Sequence, residues 1–270
     1  LNLCDCNYII LCAMIFPLGT DVFLQKEEKE KAYYESFFVG LIDGDGSIQV
    51  NHWRQQSLQF RIVIKLKNTE ANFLILQQLK NCLGIGNVVV SKNKVFVLWV
   101  ENNRNKMQPI LTILERYPLL TTRLKLQLQF FKKWFHSAKK LQDVSLYLTS
   151  RDSKYDQRTE LMKTLSSESL EILEYFPGWF SGFVEAEGCF TVRQNSRGYK
   201  SFSISQKDDG YLLLAIHRFV GAQSKIRHLP ETNLYLLEVY RRSVLVFLQN
   251  HFSQYPLLGE KKLQYAIFNQ

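Results

Sequence analysis

What this sequence lacks narrows it first. Cysteine is scarce and ill-paired: Cys4, Cys6, Cys12, Cys82 and Cys189 make five, an odd number. Only Cys4 and Cys6 are close, and a C-x-C without a later His/Cys cluster does not make a zinc site. The thiols read as free, in a reducing compartment, and not as a disulfide framework. A membrane-length apolar run is also missing. The apolar stretch from Tyr8 to Leu18 contains Pro17 and lies between Asp5 and Asp21. It falls short of the roughly 20 residues of a span and has no basic segment before it, so it is neither a membrane helix nor a signal peptide. It is expected to pack on the first domain. The chain opens on Leu1, as a trimmed chain or a frame continuous with something upstream would.

What is present points to packed cores and a polyanionic partner. Of 270 residues, 46% are hydrophobic and 13% aromatic, which argues against disorder and suffices for one large domain or two ordinary ones. Against 25 Asp+Glu stand 34 Lys+Arg, a formal charge of +9. Such an excess favours nucleic acid first and an anionic membrane surface second, with a plain solubility charge as the bland alternative.

The chain repeats itself. "ESFFVGLIDGDGSIQV" (Glu35 to Val50) is echoed by "PGWFSGFVEAEGCFTV" (Pro177 to Val192), and the second acids, Asp45 and Glu187, lie 142 residues apart. Phe60 and Phe202 share that offset, and "YPLLTTRLKLQ" matches "YPLLGEKKLQ" with Pro118 and Pro256 138 apart. Each copy begins with an apolar helix ending at the acid-Gly motif. A strand pair follows, with Leu58, Phe60, Ile62, Ile64 and Leu66 on one face and Gln59, Arg61, Val63, Lys65 and Lys67 on the other. A helix over 70–83, a turn at Gly84 and Gly86, strands over 87–91 and 95–101, and closing helices complete the unit. The second copy runs likewise through helix 209–220, strands 224–228 and 233–240, and helix 243–255. The expected fold is α+β: two pseudo-symmetric αββαββα domains packed through their motif helices, with antiparallel sheets forming a DNA-binding saddle. Residues 1–32 are read as an N-terminal extension, 33–135 and 170–270 as the two domains. The polar, Ser-rich 136–169 is read as a linker with at most a helical turn and no core of its own.

The motif spacing carries chemistry. Gly40 and Gly44 fall on one helical face, and Gly182 and Ala186 occupy the same places in the second copy. Small residues four apart let two helices approach backbone to backbone. If the motif helices are partners, Asp45 and Glu187 meet at their ends, and crowded carboxylates are tolerable when divalent cations sit between them. Mg²⁺ prefers such oxygen ligands and can activate water for phosphodiester hydrolysis. For a single copy, a solvated acid beside a glycine helix stop would explain the motif as well. Asp43 and Glu185, two residues back, face elsewhere and are read as structural acids bonded to backbone at the helix junction. The outward strand positions suit base edges: Gln49, Asn51, Gln59, Arg61, Lys65 and Lys67, then Arg193, Gln194, Ser203, Ser205, Lys207, Lys225 and Arg227. A strand of roughly ten residues spans about 33 Å, near one turn of B-DNA, so two sheets would cover about 20 base pairs. An ordinary solvated sheet face is the alternative for any one of these positions.

With both motifs in view, the chain resembles the LAGLIDADG homing endonucleases in their two-repeat, single-chain form. The resemblance rests on "FVGLIDGDG", on "FSGFVEAEG" with Glu in place of both acids, and on "YPLL" followed by a basic residue in both copies. It implies that Asp45 and Glu187 are metal-binding acids, with the carbonyls of Gly44 and Ala186 completing the shell around Mg²⁺ or another divalent cation. It implies that Arg123 and Lys261, each five residues after its proline, stabilise charge on phosphate, where a phosphate anchor or a surface ion pair is the alternative. It also implies that Gln206 orders water beside Glu187. By the repeat offset the first copy has Ile64 there, leaving the role unfilled or shifted to Lys65, so unequal halves are expected. The implied function is cleavage of both strands of a long, asymmetric double-stranded DNA by a monomer, promoting intron mobility. An RNA-binding maturase that assists splicing of its host intron is the second reading. The implied setting is an organelle, the mitochondrion ahead of the chloroplast.

Overall fold

A computed structural model describes residues 18–137, 141–192 and 199–270. Most of the apolar N-terminal stretch, residues 8–17, lies outside them, as do Arg193 and Gln194. The first copy consists of α1 (Leu18–Asp45), β1 (Gly46–Trp53), β2 (Ser57–Lys67), α2 (Glu70–Leu83), β3 (Asn87–Val90), β4 (Phe96–Glu101), α3 (Gln108–Arg116) and α4 (Thr122–Ser137). Helices α5 (Leu141–Ser150) and α6 (Arg158–Ser166) connect it to the second copy. That copy holds α7 (Phe176–Glu187), β5 (Gly188–Val192), β6 (Lys200–Lys207), α8 (Gly210–Phe219), β7 (Arg227–Leu229), β8 (Leu234–Val239), α9 (Arg242–Gln254) and α10 (Glu260–Phe268). The two sheets are antiparallel with matching orders, β1-β2-β4-β3 and β5-β6-β8-β7.

Local chemistry accounts for these elements. On β2, Phe60, Ile62, Ile64 and Leu66 are buried while Gln59, Lys65 and Lys67 are exposed, the alternation of a half-covered sheet. Helix α2 starts where the Thr69 hydroxyl accepts from Asn72 N and stops at Gly84, which is left-handed at φ 68. Gly86 has no room for a side chain, since a Cβ there would lie 2.2 Å from the Trp99 ring. In the second copy the outer strand is shorter than its sequence suggests, and residues 224–226 precede β7 as irregular chain.

The connecting segment is more structured than its polar composition suggests. Besides α5 and α6 it forms a 3-10 turn over Arg151–Tyr155, and Val144, Tyr147 and Leu165 are buried. It covers the free edge of β1. Tyr147 OH donates to Val50 O at 2.7 Å, and the Gln127 side chain accepts from Ile48 N at 2.9 Å while donating to Tyr155 OH at 2.9 Å. An edge strand with unpaired backbone groups gains from such cover. A few apolar residues at helical spacing were enough to build it.

The two copies meet along α1 and α7 at backbone distance. A Cβ on Gly40 would sit 1.9 Å from Trp179 O, and one on Gly182 would sit 2.0 Å from Phe37 O. Around this contact Phe37, Phe38, Leu41 and Ile42 pack with Trp179, Phe180, Phe183 and Val184, all fully buried. Each such side chain contributes on the order of 1.5–3 kcal/mol of hydrophobic stabilisation, so the interface is part of one continuous core.

Candidate active site

The close approach of α1 and α7 brings their C-terminal ends together. Gly44 faces Ala186 so closely that a Cβ on it would be 2.2 Å from the Ala186 Cβ and 3.4 Å from Glu187 Cγ. Asp45 and Glu187 therefore share one corner between the sheets. Burial, then the charge of Glu187, pushes the Asp45 carboxyl up to about 7, although its outer edge is open to solvent; Lys261 and Arg123 pull it back. Burial also raises Glu187, against the same two cations. Two half-sheltered carboxylates, both raised by burial and Asp45 further by the charge of Glu187, form a hard oxygen donor set with the Gly44 carbonyl beside them. The residues present fit a divalent cation.

Asp43 and Glu185 do structural work, as their spacing suggested. Asp43 accepts from Leu120 N at 2.7 Å, from Thr121 N at 3.0 Å and Oγ1 at 2.6 Å, and from Trp179 Nε1 at 2.8 Å. Glu185 accepts from Leu258 N, Gly259 N and Lys261 N at 3.2, 3.1 and 2.8 Å. Each acid thus ties the turn after "YPLL" to the motif helix and satisfies donors at the start of α4 or α10. That is why the same four letters follow both motifs. The prolines of these turns join in: Tyr175 OH donates to Pro118 O at 2.6 Å, and Tyr33 OH donates to Pro256 O, each crossing from one copy to the other.

These turns deliver the two basic residues. Arg123 lies against the end of α1, donating to Gly44 O and Gly46 O at 3.0 Å each and to Asp43 O at 3.3 Å. A guanidinium at a helix C-terminus is electrostatically favoured, and it holds the carbonyl expected to serve the metal. Lys261, in the matching first turn of α10, has its ammonium 3.4 Å from Gln264 Oε1. The two halves use their cations differently.

Gln206 lines a cavity of ≈ 550 Å³ together with Gly44, Arg123, Glu187, Tyr155 and Arg158. Its counterpart in the first copy requires a correction. Gly46 pairs with Ile64 and Gly188 with Ile204, so the second hairpin is two residues shorter and Gln206 corresponds to Leu66, not Ile64. Leu66 is buried and apolar. Lys65 points to the opposite face, so it cannot take over the role from that position.

The outward face holds most of the expected DNA-reading residues. Gln49, Asn51, Gln59, Arg61, Lys65 and Lys67 alternate with core residues on β1 and β2, and Ser203, Ser205 and Lys207 do so on β6. Lys65 Nζ lies 3.8 Å over the Phe96 ring, and Arg227 is paired with Glu238 at 3.2 Å. Lys225 is exposed but sits in irregular chain ahead of β7, not on a strand.

One cluster escaped the sequence reading. Arg158, from the connecting segment, donates to Thr122 Oγ1 at 2.8 Å and pairs with Asp208 at 2.7 Å and Asp209 at 3.8 Å. Asp209 itself accepts from Thr122 N at 3.0 Å and Oγ1 at 2.5 Å. At the matching corner of the pseudo-dyad, Asn72 Oδ1 accepts from Glu260 N at 3.2 Å. Asp208-Asp209 ahead of an apolar helix is a capping pattern legible in sequence; nothing marked Arg158.

The fold and this corner define a two-repeat α+β protein with a paired-carboxylate site between two antiparallel sheets. The LAGLIDADG endonuclease family model matches residues 38–135 and 180–270, and the chain belongs to that family. It is 40% identical to the "Probable intron-encoded endonuclease aI3" of Dictyostelium citrinum, over 90% of this chain and 98% of that protein. To the protein of the same name from Debaryomyces hansenii it is 37% identical over 89% of this chain, but over 38% of that longer protein. Among solved structures it resembles the LAGLIDADG meganuclease I-AabMI bound to uncleaved DNA, with a TM-score of 0.64, 22% identity and coverage of 87% and 88% of the two chains. It is also similar to I-SmaMI bound to an uncleaved DNA target in the presence of calcium ions, with a TM-score of 0.63, 20% identity and coverage of 87% and 88%. These two likenesses concern the fold. No helix among the described residues is long and apolar enough to cross a membrane.

Proposed function

We propose that this chain is a site-specific homing endonuclease that hydrolyses both strands of a long double-stranded DNA, with a divalent cation, Mg²⁺ first, held by Asp45 and Glu187. The observation that carries this reading is the meeting of those two acids at the joined ends of α1 and α7, with Arg123 and Lys261 close enough to perturb both. The Gly44 and Ala186 carbonyls precede the acids and would complete the shell. Bound there, the cation would supply an activated water and charge neutralisation at phosphate. Gln206 would orient water beside Glu187, and Lys261 and Arg123 would offset the charge that develops on phosphate. The sheets would lie on the duplex, with Arg and Lys setting register on phosphates and Gln and Asn reading base edges. With both motifs in one chain, the active unit is a monomer on an asymmetric site, since two-fold symmetry is demanded only of symmetric dimers. The names of its relatives support an intron-encoded origin, and the setting we propose is an organelle, the mitochondrion first.

The deciding experiment incubates the chain with intronless target DNA, with and without Mg²⁺. Metal-dependent double-strand cleavage is expected. Asp45→Asn or Glu187→Gln should abolish or cripple it while leaving specific binding largely intact, because base contacts lie elsewhere. Wild-type cleavage by either variant would refute the two-acid site.

A further inference from the structure

We infer that the first sheet carries a subsite for thymine methyl groups beside the cleavage centre, and that the second sheet lacks it. The inference deepens the reading that both sheets lie on DNA. Strand register on the outward face of the first sheet sets Ser47, Val63, Val100 and Asn87 in one row, and Lys65, Leu98 and Val89 in the next. Val63, Val100, Leu98 and Val89 are therefore contiguous on the face away from the core. They are not core residues by alternation, for Val97 and Trp99 between them are fully buried on the other side. Val89 is 50% exposed and Leu98 and Val100 are half-buried, whereas Val63 is itself buried, so the surface open to a duplex is made by Val89, Leu98 and Val100.

The second sheet provides the comparison. Aligning Gly188–Ile204 with Gly46–Ile64 makes Ser203 the counterpart of Val63, Glu238 of Val100 and Arg227 of Val89, with Leu236 matching Leu98. Three apolar positions of four are polar or charged there, and Arg227 and Glu238 neutralise each other at 3.2 Å. The same places, at the same distance from the paired acids, therefore present different chemistry to the two halves of a duplex.

The apolar block sits among Arg61, Lys65 and Lys67 on a chain of net charge +9, a setting that suits a polyanion with apolar points on its surface. In the major groove such points are the C5 methyl groups of thymine. The rows begin one residue after Gly46, which follows Asp45. At about 3.3 Å per strand residue they cover base pairs within roughly five of the cleavage centre. Covering one methyl is worth about fourfold in affinity.

The test begins by selecting a cleavable duplex from a randomised library with the full chain and Mg²⁺. Each thymine of that duplex is then replaced singly by deoxyuridine, which removes only the methyl. Affinity is read with Ca²⁺ in place of Mg²⁺. One half-site should lose about fourfold per methyl near the centre, while the mirror positions of the other half change little. Leu98→Ser and Val89→Ser should abolish that sensitivity, and Leu236→Ser should leave it. Val89 is exposed enough for its variant to fold normally. The inference is overturned if deoxyuridine is neutral in both halves, if selected sites carry no thymine in that window, or if Leu98→Ser and Val89→Ser keep the wild-type sensitivity. A chain that cuts no duplex in the library would instead refute the endonuclease reading on which the inference stands.

Discussion

Removing Arg158 tests whether the connecting segment is a tether or a part of the active cleft. Arg158→Met keeps an unbranched apolar stem and removes the guanidinium with its charge. It leaves the fully buried Asp209 and the nearby Asp208 without their cation. Breaking a buried pair from one side costs about 3–5 kcal/mol. Arg158 is 26% exposed and Asp208 20%, so water replaces part of the loss and about 2 kcal/mol is expected. For a chain of this size that lowers the melting temperature by about 4–8 °C. The sign with pH follows. Burial raises the Asp209 carboxyl while Thr122 and Arg158 lower it, so its proton affinity rises further in the variant. The destabilisation should therefore shrink as pH falls and the aspartates protonate. Activity should suffer beyond stability, because Thr122 precedes Arg123 and Asp208 follows Gln206 by two. Arg158→Lys restores charge without the planar fork and should recover stability more than nicking rate. The assays are thermal melts from pH 5 to 8 and strand-resolved nicking of supercoiled plasmid at a temperature where both variants are folded. An Arg158→Met chain with unchanged melting temperature and unchanged nicking of both strands would refute this account.

Gly40→Val and Gly182→Val insert branched side chains where carbonyl oxygens stand 1.9 and 2.0 Å from the would-be Cβ. The cost should reach or exceed about 1–3 kcal/mol with loss of cleavage, and wild-type melting and activity would mean that α1 and α7 do not touch. Because the counterpart of Gln206 in the first copy is the apolar Leu66, the strands should be cut sequentially with a nicked intermediate. Gln206→Ala should narrow the gap between the two nicking rates, and equal slowing of both would remove Gln206 from its role. Burial lowers His251 to about 4 from its ordinary 6.5, and its ring sits 3.0 Å from Ser181 Oγ. The unfolded chain then binds the extra proton first, so stability is fully present above pH 6.5 and falls by about 3 kcal/mol as pH drops toward 4. His251→Gln should flatten that limb of a melting-temperature profile, and an unchanged slope would assign it to other groups.

The sequence by itself determined the duplication, the alternation that faces β2 inward and outward, and the α2 boundaries at Thr69 and Gly84, because each depends on residues near one another in the chain. It also singled out Asp45 and Glu187, since two copies of one motif with matched small residues imply one helix contact. Tertiary structure decided what depends on groups far apart. The register of Gln206 against Leu66 came from hairpin length, which repeat offsets do not measure. The connecting segment gained its fixed place because Tyr147 bonds the open edge of β1 directly and Tyr155 does so through Gln127 of α4. Arg158 acquired its place because two distant segments, Thr122 at the start of α4 and Asp208-Asp209 between β6 and α8, converge on it in space. Buried charge is tolerated only where partners meet, and where distant partners meet is settled by packing, not by sequence spacing.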